Sequence, residues 1–489
     1  MQPVTPDALP ETKALLELIY SVSGNYLLTG QHNFPNTKDR NTEFAVKYTG
    51  KTPAVFSTDW GHAREGDSDS YLARPDIVKE CIRQHQQGSL ITICWHAVPP
   101  TTEEPVTFRP VPGTPADTLK SVQGNLLDEQ FKDLLTQGTQ LYNQWCKQVD
   151  SVAKYLKQLE EAKVPVLWRP YHEMNGSWFW WGGQTGDYST RKLYIQLFDR
   201  LINYHNLKNL VWVWSVDRFH ESDMYYEQYF PGIEYLDILA LDVYHNDFSK
   251  DYYDSLVALS QGKPLILAEV GNPPNPKILD EQPKWALYVT WATMVRNTLR
   301  KDYVNLFSDT RILNQEDESY HKLMNPYRKA CNLNPLPLEK EGKTNFSGIW
   351  KYNEEKSTLD AWGSSQVPWK MEVIQTEEEI KIIKTNIEEF ADVKVEEEVY
   401  KTDGSEHQSE FWNLPQITTA RWLKNNEKLV IESNVKLEYE GKSSDMKTSY
   451  TWTFIDGGNA ISVHMKVKSP WVDRDVIMVF EKEWYYPLL

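Results

Sequence analysis

Residues 164–173 read VPVLWRPYHE, an apolar run that ends in polar and aromatic side chains. A short run of this kind, rich in β-branched and aromatic residues, is typical of a strand buried on both faces of a parallel sheet. Seven more runs of this kind occur before residue 294: YLLTGQH (26–32), PAVFSTDW (53–60), LITICWHA (90–97), LVWVWSVD (210–217), LDILALDVY (236–244), PLILAEVG (264–271) and ALYVTWAT (286–293). The first part of the chain therefore contains eight predicted parallel strands.

Helical patterns separate these strands. Residues 76–88, 149–162 and 191–204 carry apolar side chains three and four positions apart, as amphipathic helices do. Eight alternating units of strand and helix predict an α/β fold, a closed (β/α)8 TIM barrel. A doubly wound sheet is the alternative. Such a sheet is expected to have a Gly-rich turn after an early strand, and the sequence has no GxGxxG. The eighth strand stays open, because YVNLFSD (303–309) competes with 286–293.

The pattern of apolar and polar residues changes after the eighth strand. We predict a (β/α)8 domain at residues 1–334, a Pro- and charge-rich linker at 335–347 and a smaller all-β domain at 348–489. Alternating apolar and polar residues broken by DG and GG turns make this domain an antiparallel barrel or sandwich. Its opening, FSGIWKYNEEKS (346–357), resembles the first strand of lipocalin-like domains. The acidic run at 396–410 is predicted to be a solvated hairpin.

Composition narrows the class of partner. With 52 Lys and Arg against 69 Asp and Glu, the net charge is −17, which opposes nucleic acid and anionic lipid and suits a neutral polysaccharide. The sequence has 19 Trp and 27 Tyr, whose rings can stack on sugars. No run of about 20 apolar residues is present, so no membrane-spanning segment is expected. Four cysteines, without a zinc-like spacing, are expected to be buried free thiols: Cys81, Cys94, Cys146 and Cys331.

The start of the sequence, MQPVTPDALPETK, has no secretion signal. A polysaccharide too large to cross a membrane must nevertheless meet its enzyme outside the membrane. We therefore expect an extracellular, periplasmic or cell-surface location, with a signal peptide already removed.

Two glutamates end predicted strands of the barrel, Glu173 the fourth and Glu269 the seventh. The carboxyl ends of barrel strands converge on one mouth, where active sites lie. Cleavage of a glycosidic bond with retention requires two carboxyls about 5 to 5.5 Å apart, one to donate a proton and one to attack the anomeric carbon. The spacing of three βα units places Glu173 and Glu269 across the same mouth.

The surroundings of the two glutamates predict different protonation states. Glu173 lies among the aromatic side chains of WFWW (178–181), which would desolvate its carboxyl and raise its pKa. Glu269 would be held ionised if Arg169 and Tyr244 point toward it. A single glutamate at a strand end is more often a surface residue in an ion pair, but the aromatic neighbours of Glu173 argue against that interpretation.

The segment RPYHEMNGSWFWWG (169–182), together with LAEVG (267–271), resembles glycoside hydrolase family 26, a clan A family best known for β-mannanases. The resemblance covers about residues 13–332. It implies that Glu173 is the acid/base and Glu269 the nucleophile. Further contacts implied by the resemblance are His96 to the sugar in the −1 subsite, Trp178 beside the acid/base, Tyr244 hydrogen-bonded to the nucleophile, and Trp291 as the ring beneath the sugar.

His172 stands directly before the predicted acid/base, and its imidazole can donate an N–H to the nucleophile. Trp60 is either a core residue or part of a distal subsite, and a core histidine is the alternative for His96. The long loop at residues 99–124 is predicted to shape one end of the cleft.

The function implied by the resemblance is a retaining, endo-type β-1,4-mannanase acting on mannan, glucomannan or galactomannan by double displacement. This chemistry needs no metal or cofactor, and no loop in the sequence resembles a calcium site. The alternatives are a family 26 hydrolase of another β-glycan, such as mixed-linkage β-glucan or β-1,3-xylan, and a non-catalytic glycan-binding protein.

Overall fold

The computed structural model describes residues 1–61, 73–115, 118–338, 344–361, 363–364, 367–387, 392–423, 428–439, 442–471 and 473–483. The chain forms two compact units, Met1–Leu338 and Glu339–Leu489. The division falls inside the predicted linker at 335–347, of which residues 339–343 lie outside the described residues. The domain boundaries stay a prediction.

The described part of the first unit contains ten parallel strands: β1 (Leu27–Leu28), β2 (Gly30–His32), β3 (Val55–Asp59), β4 (Leu90–Trp95), β5 (Val166–Pro170), β6 (Leu210–Asp217), β7 (Ile238–Val243), β8 (Leu265–Val270), β9 (Trp285–Thr290) and β10 (Ile312–Leu313). Each strand from β2 to β8 pairs with the next, and β9 pairs back with β2. These pairings close an eight-stranded barrel, with β1 and β10 paired to each other beside β9. The predicted TIM barrel is confirmed.

Helices surround the barrel: α1 (Pro10–Val22), α2 (Arg40–Thr49), α3 (Arg74–Gln87), α4 (Asp128–Leu134), α5 (Gln140–Glu161), α6 (Thr190–Asp199), α7 (Lys250–Ser260), α8 (Pro276–Glu281), α9 (Arg300–Phe307) and α10 (Glu318–Ala330). Helix α5 begins nine residues before the predicted start, because the Thr139 side chain caps it by accepting from the Tyr142 N–H. The competing strand at 303–309 lies mostly in α9, where Tyr303 and Leu306 are buried and Val304 is exposed. The eighth strand is therefore β9.

The amino end of the barrel is closed by α1 and α10, which pack against each other and against a core of Leu, Ile and Val side chains inside the barrel. The Tyr320 hydroxyl of α10 donates to the carbonyl oxygens of Ala54 at 3.1 Å and Gly88 at 2.6 Å, just before β3 and β4. Because this end is filled with apolar side chains, the opposite, carboxyl end is left for polar chemistry.

The barrel closes at a narrow seam between β2 and β9. Gln31 of β2 pairs with Thr290 of β9. The Gln31 amide strengthens the seam by donating to the carbonyl oxygens of Ala292 at 2.6 Å and Thr290 at 3.2 Å. Because β2 and β9 pair over so few residues, the hydrogen bonds of the Gln31 side chain help to close the barrel.

The second unit is a ten-stranded antiparallel sheet: β11 (Gly348–Thr358), β12 (Lys370–Gln375), β13 (Glu379–Ile387), β14 (Val393–Lys401), β15 (Asp403–Phe411), β16 (Leu414–Leu423), β17 (Lys428–Tyr439), β18 (Lys442–Ile455), β19 (Ala460–Lys468) and β20 (Asp473–Glu483). In the sheet, β11 pairs with both β12 and β20, and β14 and β15 are the outermost strands. Because Thr402 alone joins β14 to β15, the sheet must curl round into a nearly closed barrel. Of the two predicted forms, the antiparallel barrel is confirmed.

The acidic run at 396–410 is mostly exposed, as predicted, although Thr402 is buried, and the run is not a single hairpin. Strand β14 pairs with β13, and β15 pairs with β16. The run therefore connects the two edges of the curled sheet.

Two expectations about the chain as a whole can be compared with the structure. All four cysteines are free and buried, as predicted. Among the described residues, no helix is both long and apolar enough to cross a membrane.

Candidate active site

The predicted site residues come together at the carboxyl end of the parallel barrel. Glu173 follows β5, Glu269 lies near the end of β8, and Asp242 lies near the end of β7. One carboxylate oxygen from each of the three lies within 4.8 Å of the others. The sequence predicted that Glu173 and Glu269 face each other, and the structure places them so.

Both oxygens of the Glu269 carboxylate accept a hydrogen bond. Arg169 in β5 donates from Nη2 to Oε1 at 2.5 Å, and the Tyr244 hydroxyl donates to Oε2 at 2.5 Å. Burial, and the negative charge of Glu269, raise the pKa of Tyr244 well above its ordinary value, so its hydroxyl stays a donor. A carboxylate held in this way is oriented, and it lies close to the second carboxyl.

Asp242 is a site residue that the sequence analysis missed. Arg169 donates from Nη1 to its Oδ2 at 2.9 Å, and Ser215 in β6 donates to its Oδ1 at 3.1 Å. The side chains of Arg169 and Asp242 are 3% and 0% exposed. A charged residue inside the apolar run LDILALDVY needs a buried partner, and that was the available signal. The register between β7 and β8 shifts at Asp242, which sequence does not reveal.

Glu173 is held in an unfavoured backbone conformation, with φ at 50°. Its Oε2 accepts a hydrogen bond from the Trp178 indole at 2.6 Å. Burial raises the pKa of Glu173 well above its ordinary value, and the negative charges of Glu269 and Asp242 raise it further, whereas the Trp178 hydrogen bond acts in the opposite direction. The predicted desolvation is present, but Trp178 is also a direct partner of the carboxyl. Backbone strain of this kind is typical of functional sites.

Charge counting explains which carboxyl carries the proton. One guanidinium, Arg169, faces the carboxyls of Asp242 and Glu269 directly, and Glu173 adds a third carboxyl within the same buried space. With all three ionised, two negative charges would be left uncompensated in a site of low dielectric. Burial raises the pKa of both Asp242 and Glu173, but within the described part of the chain only Glu173 lacks an ion pair with Arg169, so the geometry favours Glu173 as the carboxyl that keeps the proton.

The loop after Glu173 is shaped around its aromatic side chains. A Cβ at Gly176 would lie 2.2 Å from the Trp178 ring, so only glycine lets the indole lie against the backbone there. The indole of Trp181 donates to the His172 carbonyl at 2.9 Å, and that of Trp180 donates to the Ala97 carbonyl at 2.7 Å. Trp180 and Trp181 are buried supports, and Trp178 is half-buried at the carboxyl.

His96 follows β4, and its imidazole pairs with a buried carboxylate. Its Nδ1 forms a short contact with Asp59 Oδ2, and the Cys94 thiol donates to the same oxygen at 3.1 Å. His96 is therefore satisfied by a carboxylate, not by backbone as the core alternative supposed. The pairing fixes the orientation of the ring at the mouth, where it lies 4.3 Å from the His172 ring, centroid to centroid. Trp60, the next residue after Asp59, is fully buried in the core.

His172 is placed differently from its predicted role. Its Nε2 lies 3.8 Å from Glu269 Oε1, which is too long for a hydrogen bond, so the predicted donation to this carboxylate is not formed. Its Nδ1 is buried and has no hydrogen-bond partner among the described residues. Burial, with the nearby His96 and Arg169, lowers the pKa of His172 well below its ordinary value, so the ring is neutral.

Trp291 follows β9 and is half-buried at the mouth. Its ring stacks on His32 at the end of β2, with ring centroids 3.8 Å apart and an interplanar angle of 12°. His32 is anchored by a 2.9 Å contact between its Nδ1 and the Ser57 hydroxyl. The sequence analysis did not assign a role to His32, which supports one face of the proposed platform.

The described part of the loop at 99–124 lies beside the site. The Phe108 ring is 5.8 Å from the His96 ring, and the Gly124 N–H donates to the Trp178 carbonyl at 2.9 Å. The Trp180 N–H donates to the Val122 carbonyl at 3.3 Å. Residues 116 and 117 lie outside the description. That the loop shapes one end of the cleft stays a prediction.

Two side-chain clusters among the described residues have the spacing of metal ligands, Asp59 with Cys94 and His96, and Glu173 with Asp242 and Glu269. The first cluster is bonded internally through Asp59, and the second already contains the Arg169 guanidinium as its cation.

Comparison with known proteins agrees with this geometry. The sequence model of Glycosyl hydrolase family 26 matches residues 4–317. The structure of GH26A from Muricauda sp. MAR_2010_75 is 38% identical, with a TM-score of 0.59, over 64% of this chain and 98% of that chain. The Podospora anserina GH26-CBM35 β-(1,4)-mannanase is 28% identical, with a TM-score of 0.53, over 67% of this chain and 69% of that one.

Curated proteins with known names are also similar in sequence to this chain. A mannan endo-1,4-beta-mannosidase of Thermothelomyces thermophilus is 31% identical over 304 residues, which are 60% of this chain and 57% of that protein. A Bacillus subtilis mannan endo-1,4-beta-mannosidase is 28% identical over 292 residues, 55% of this chain and 74% of that protein. The chain spans 57%, 48% and 45% of the length of three of the relatives it matches. Because the family match covers most of its 489 residues, the chain belongs to Glycosyl hydrolase family 26.

Proposed function

We propose that the chain is a retaining, endo-type β-1,4-mannanase in which Glu173 is the acid/base and Glu269 the nucleophile. One observation carries the proposal: the two carboxyls face each other across the barrel mouth, with oxygens within 4.8 Å. Retaining glycosidases hold their carboxyls about 5 to 5.5 Å apart, whereas inverting enzymes need roughly 6.5 to 9.5 Å to admit a water molecule.

In the first step, a Glu269 oxygen attacks the anomeric carbon while Glu173 donates its proton to the glycosidic oxygen. The bond between the anomeric carbon and that oxygen breaks, the leaving sugar departs as an alcohol, and a glycosyl ester forms on Glu269. The raised pKa of Glu173 supplies the proton near neutral pH. Arg169 and Tyr244 hold the attacking carboxylate in place.

In the second step, Glu173 is a carboxylate and takes a proton from a water molecule, whose oxygen attacks the anomeric carbon. The ester bond to Glu269 breaks, and the electron pair returns to its carboxylate. The anomeric configuration is inverted twice and so retained. Glu173 is again protonated, and the site is ready for another turnover.

The choice of mannan as substrate rests on the names of the relatives, and the proposed sugar contacts rest on where the side chains lie. The curated relatives above are named mannan endo-1,4-beta-mannosidases. His96 and His172, both at the mouth, are proposed contacts of the −1 sugar, and Trp291 is proposed as the ring beneath it. Trp178 is proposed to lie beside the leaving group through its bond to Glu173. A neutral mannan suits the charge of −17, and a polymeric substrate implies an extracellular, periplasmic or cell-surface location.

The test is reducing-sugar release from galactomannan, glucomannan, mixed-linkage β-glucan and β-1,3-xylan, measured side by side. We expect hydrolysis of the first two, internal cleavage of mannohexaose, and β-configured ends as the first product seen by NMR. Glu269→Ala should abolish turnover and keep glycan binding. Release from β-glucan or xylan alone would replace mannan as the substrate, and first products of α configuration would contradict the mechanism.

A further inference from the structure

The antiparallel barrel has one end marked by exposed tryptophans. Because the strands run up and down, the carboxyl ends of β11, β13, β15, β17 and β19 all lie at the same end of the sheet. Trp412 in the β15–β16 turn is 78% exposed, and Trp471 in the β19–β20 turn is 58% exposed. We call this the tryptophan end, defined by Trp412 and Trp471. Trp412 and Trp471 lie on turns separated by the β17–β18 connection, and each leaves a large apolar ring exposed to solvent.

The backbone at Trp412 gives a second observation. Phe411 pairs with Leu414, so Trp412 and Asn413 form a two-residue hairpin loop, with φ at 52° and 62°. Loops of this type strongly favour Asn, Asp and Gly, and a positive φ is rare for a bulky side chain. The Phe411 ring lies 4.8 Å from the Trp412 ring and widens the apolar surface. A tryptophan that is both exposed and conformationally unfavoured indicates a function.

The spacing of the two tryptophans suits an extended ligand. Four strand spacings separate the middle of the β15–β16 hairpin from the middle of the β19–β20 hairpin. At about 4.8 Å for each spacing, the two turns are no more than about 19 Å apart along the sheet. A linear chain of several sugar units can reach both.

Two ion pairs lie on the strands that lead to the tryptophan end. On the core-facing side of β13, Lys384 continues the alternation of Ile380 and Ile382, and its Nζ lies 2.6 Å from Glu398 of β14. Arg474 of β20 donates to Asp360, which follows β11, also at 2.6 Å. A charged ligand would have to disrupt such a pair, whereas a neutral, hydroxylated ligand can hydrogen-bond to it intact.

We propose that the tryptophan end binds a neutral, β-linked glycan chain, with Trp412 and Trp471 stacking on sugar rings at two separate points. Indole faces stack on the apolar faces of sugars while the N–H remains in contact with water or hydroxyls. The net charge of −17 opposes nucleic acid and anionic lipid. The proposal rests on the proposed function only for the choice of mannan as the glycan.

The test uses the full chain carrying Glu269→Ala, so that the polysaccharide is not degraded. Retention in gels containing glucomannan or galactomannan is compared among the parent, Trp412→Asn, Trp471→Ser and the double variant. We expect the apparent Kd to rise roughly 3- to 10-fold for each single change and more than about 10-fold for the double change, because two contacts on one polymer reinforce each other. Tyr204→Asn, which removes a 67% exposed aromatic ring from the parallel barrel, is the matched control and should leave the Kd unchanged.

Stability separates a lost contact from a damaged fold. Asn suits a two-residue hairpin loop, so Trp412→Asn should melt at the same temperature as the parent or higher. In the active chain, Trp412→Asn with Trp471→Ser should hydrolyse mannohexaose as fast as the parent and insoluble mannan more slowly.

Retention unchanged in the double variant overturns the proposal, as does an equal loss in Tyr204→Asn. A change in oligomeric state or protein binding without a change in glycan Kd would assign the surface to a protein partner and also overturn it. If the parent fails to hydrolyse any mannan but retention still depends on the two tryptophans, the proposed function fails and the binding surface stands.

Discussion

The two barrels each place an ion pair on the inner side of a sheet, and the pairs differ in burial. In the parallel barrel, the side chains of Arg169, Asp242 and Glu269 are 3%, 0% and 4% exposed. In the antiparallel barrel, those of Lys384 and Glu398 are 21% and 31% exposed. Water screens the second pair, so it contributes little, whereas the first cannot lose a member without leaving a buried charge unpaired. Burial decides which pair can orient a reacting group.

The largest effect is expected from Arg169→Met, which leaves Asp242 and Glu269 without their cation. We expect the free energy of unfolding to fall by about 3–5 kcal/mol, measured by urea unfolding at neutral pH, and hydrolysis of mannohexaose to be lost. Arg169→Lys is the control: it keeps the charge but cannot bridge two carboxylates from a planar fork, so it should recover stability in part. A loss below about 1 kcal/mol for Arg169→Met would remove the contrast between the two barrels.

Glu173→Gln should reduce kcat by about 10²- to 10⁴-fold, because the proton donor is gone. Whereas kcat falls, the thermal stability of this variant at neutral pH should rise. The folded pKa of Glu173 is raised, so folding favours its protonated form, and this contribution is complete below the unfolded pKa and lost as pH rises through the folded pKa. The Tm of Glu173→Gln should therefore exceed that of the parent at neutral pH and converge with it at acid pH. A constant Tm difference across pH would contradict the raised pKa.

Tyr244→Phe removes one of the two donors to Glu269 and keeps the ring. A hydrogen bond to a charged group is worth about 1.5–3 kcal/mol, so kcat for mannohexaose should fall roughly 10- to 100-fold. The fold should be retained, as judged by an unchanged circular dichroism spectrum. Tyr204 is exposed and is not one of the proposed site residues, so Tyr204→Phe controls for the loss of a tyrosine hydroxyl. Unchanged kcat in Tyr244→Phe would show that Arg169 alone positions the carboxylate.

The smallest effect is expected from Lys384→Met, which breaks the half-buried pair in the antiparallel barrel. We expect a change in unfolding free energy within about 1 kcal/mol and no change in the rate on mannohexaose. A loss as large as that of Arg169→Met would mean that partial exposure does not screen this pair, and the comparison would fail.

Most of the parallel barrel could be predicted from the sequence, because strands buried on both faces leave unmistakable apolar runs. The position of Glu173 and Glu269 at strand ends followed directly from those runs. The sequence could not decide which of 286–293 and 303–309 is the eighth strand. The apolar residues Tyr303 and Leu306 suit a strand or an amphipathic helix, and only their packing shows that they belong to α9.

The partners within the site were harder to predict than its carboxylates. Asp242, Asp59 and His32 act through neighbours on other strands, and those contacts depend on register and on the shift at Asp242. The predicted hydrogen bond from His172 to Glu269 failed for the same reason: adjacency in sequence to Glu173 does not fix a distance across the barrel. In the second domain, the predicted hairpin at 396–410 was wrong because β15, whose side chains are mostly polar and exposed, pairs with β16 and not with β14.

The seam between β2 and β9 has a consequence for heat tolerance. Gln31 links β2 to the carbonyl oxygens on either side of Trp291, and His32 stacks on the Trp291 ring. Warming that parts this short junction separates the indole from its imidazole support while the outer helices are still intact. We therefore expect hydrolysis of mannohexaose to be lost on heating at a lower temperature than the helical circular dichroism signal.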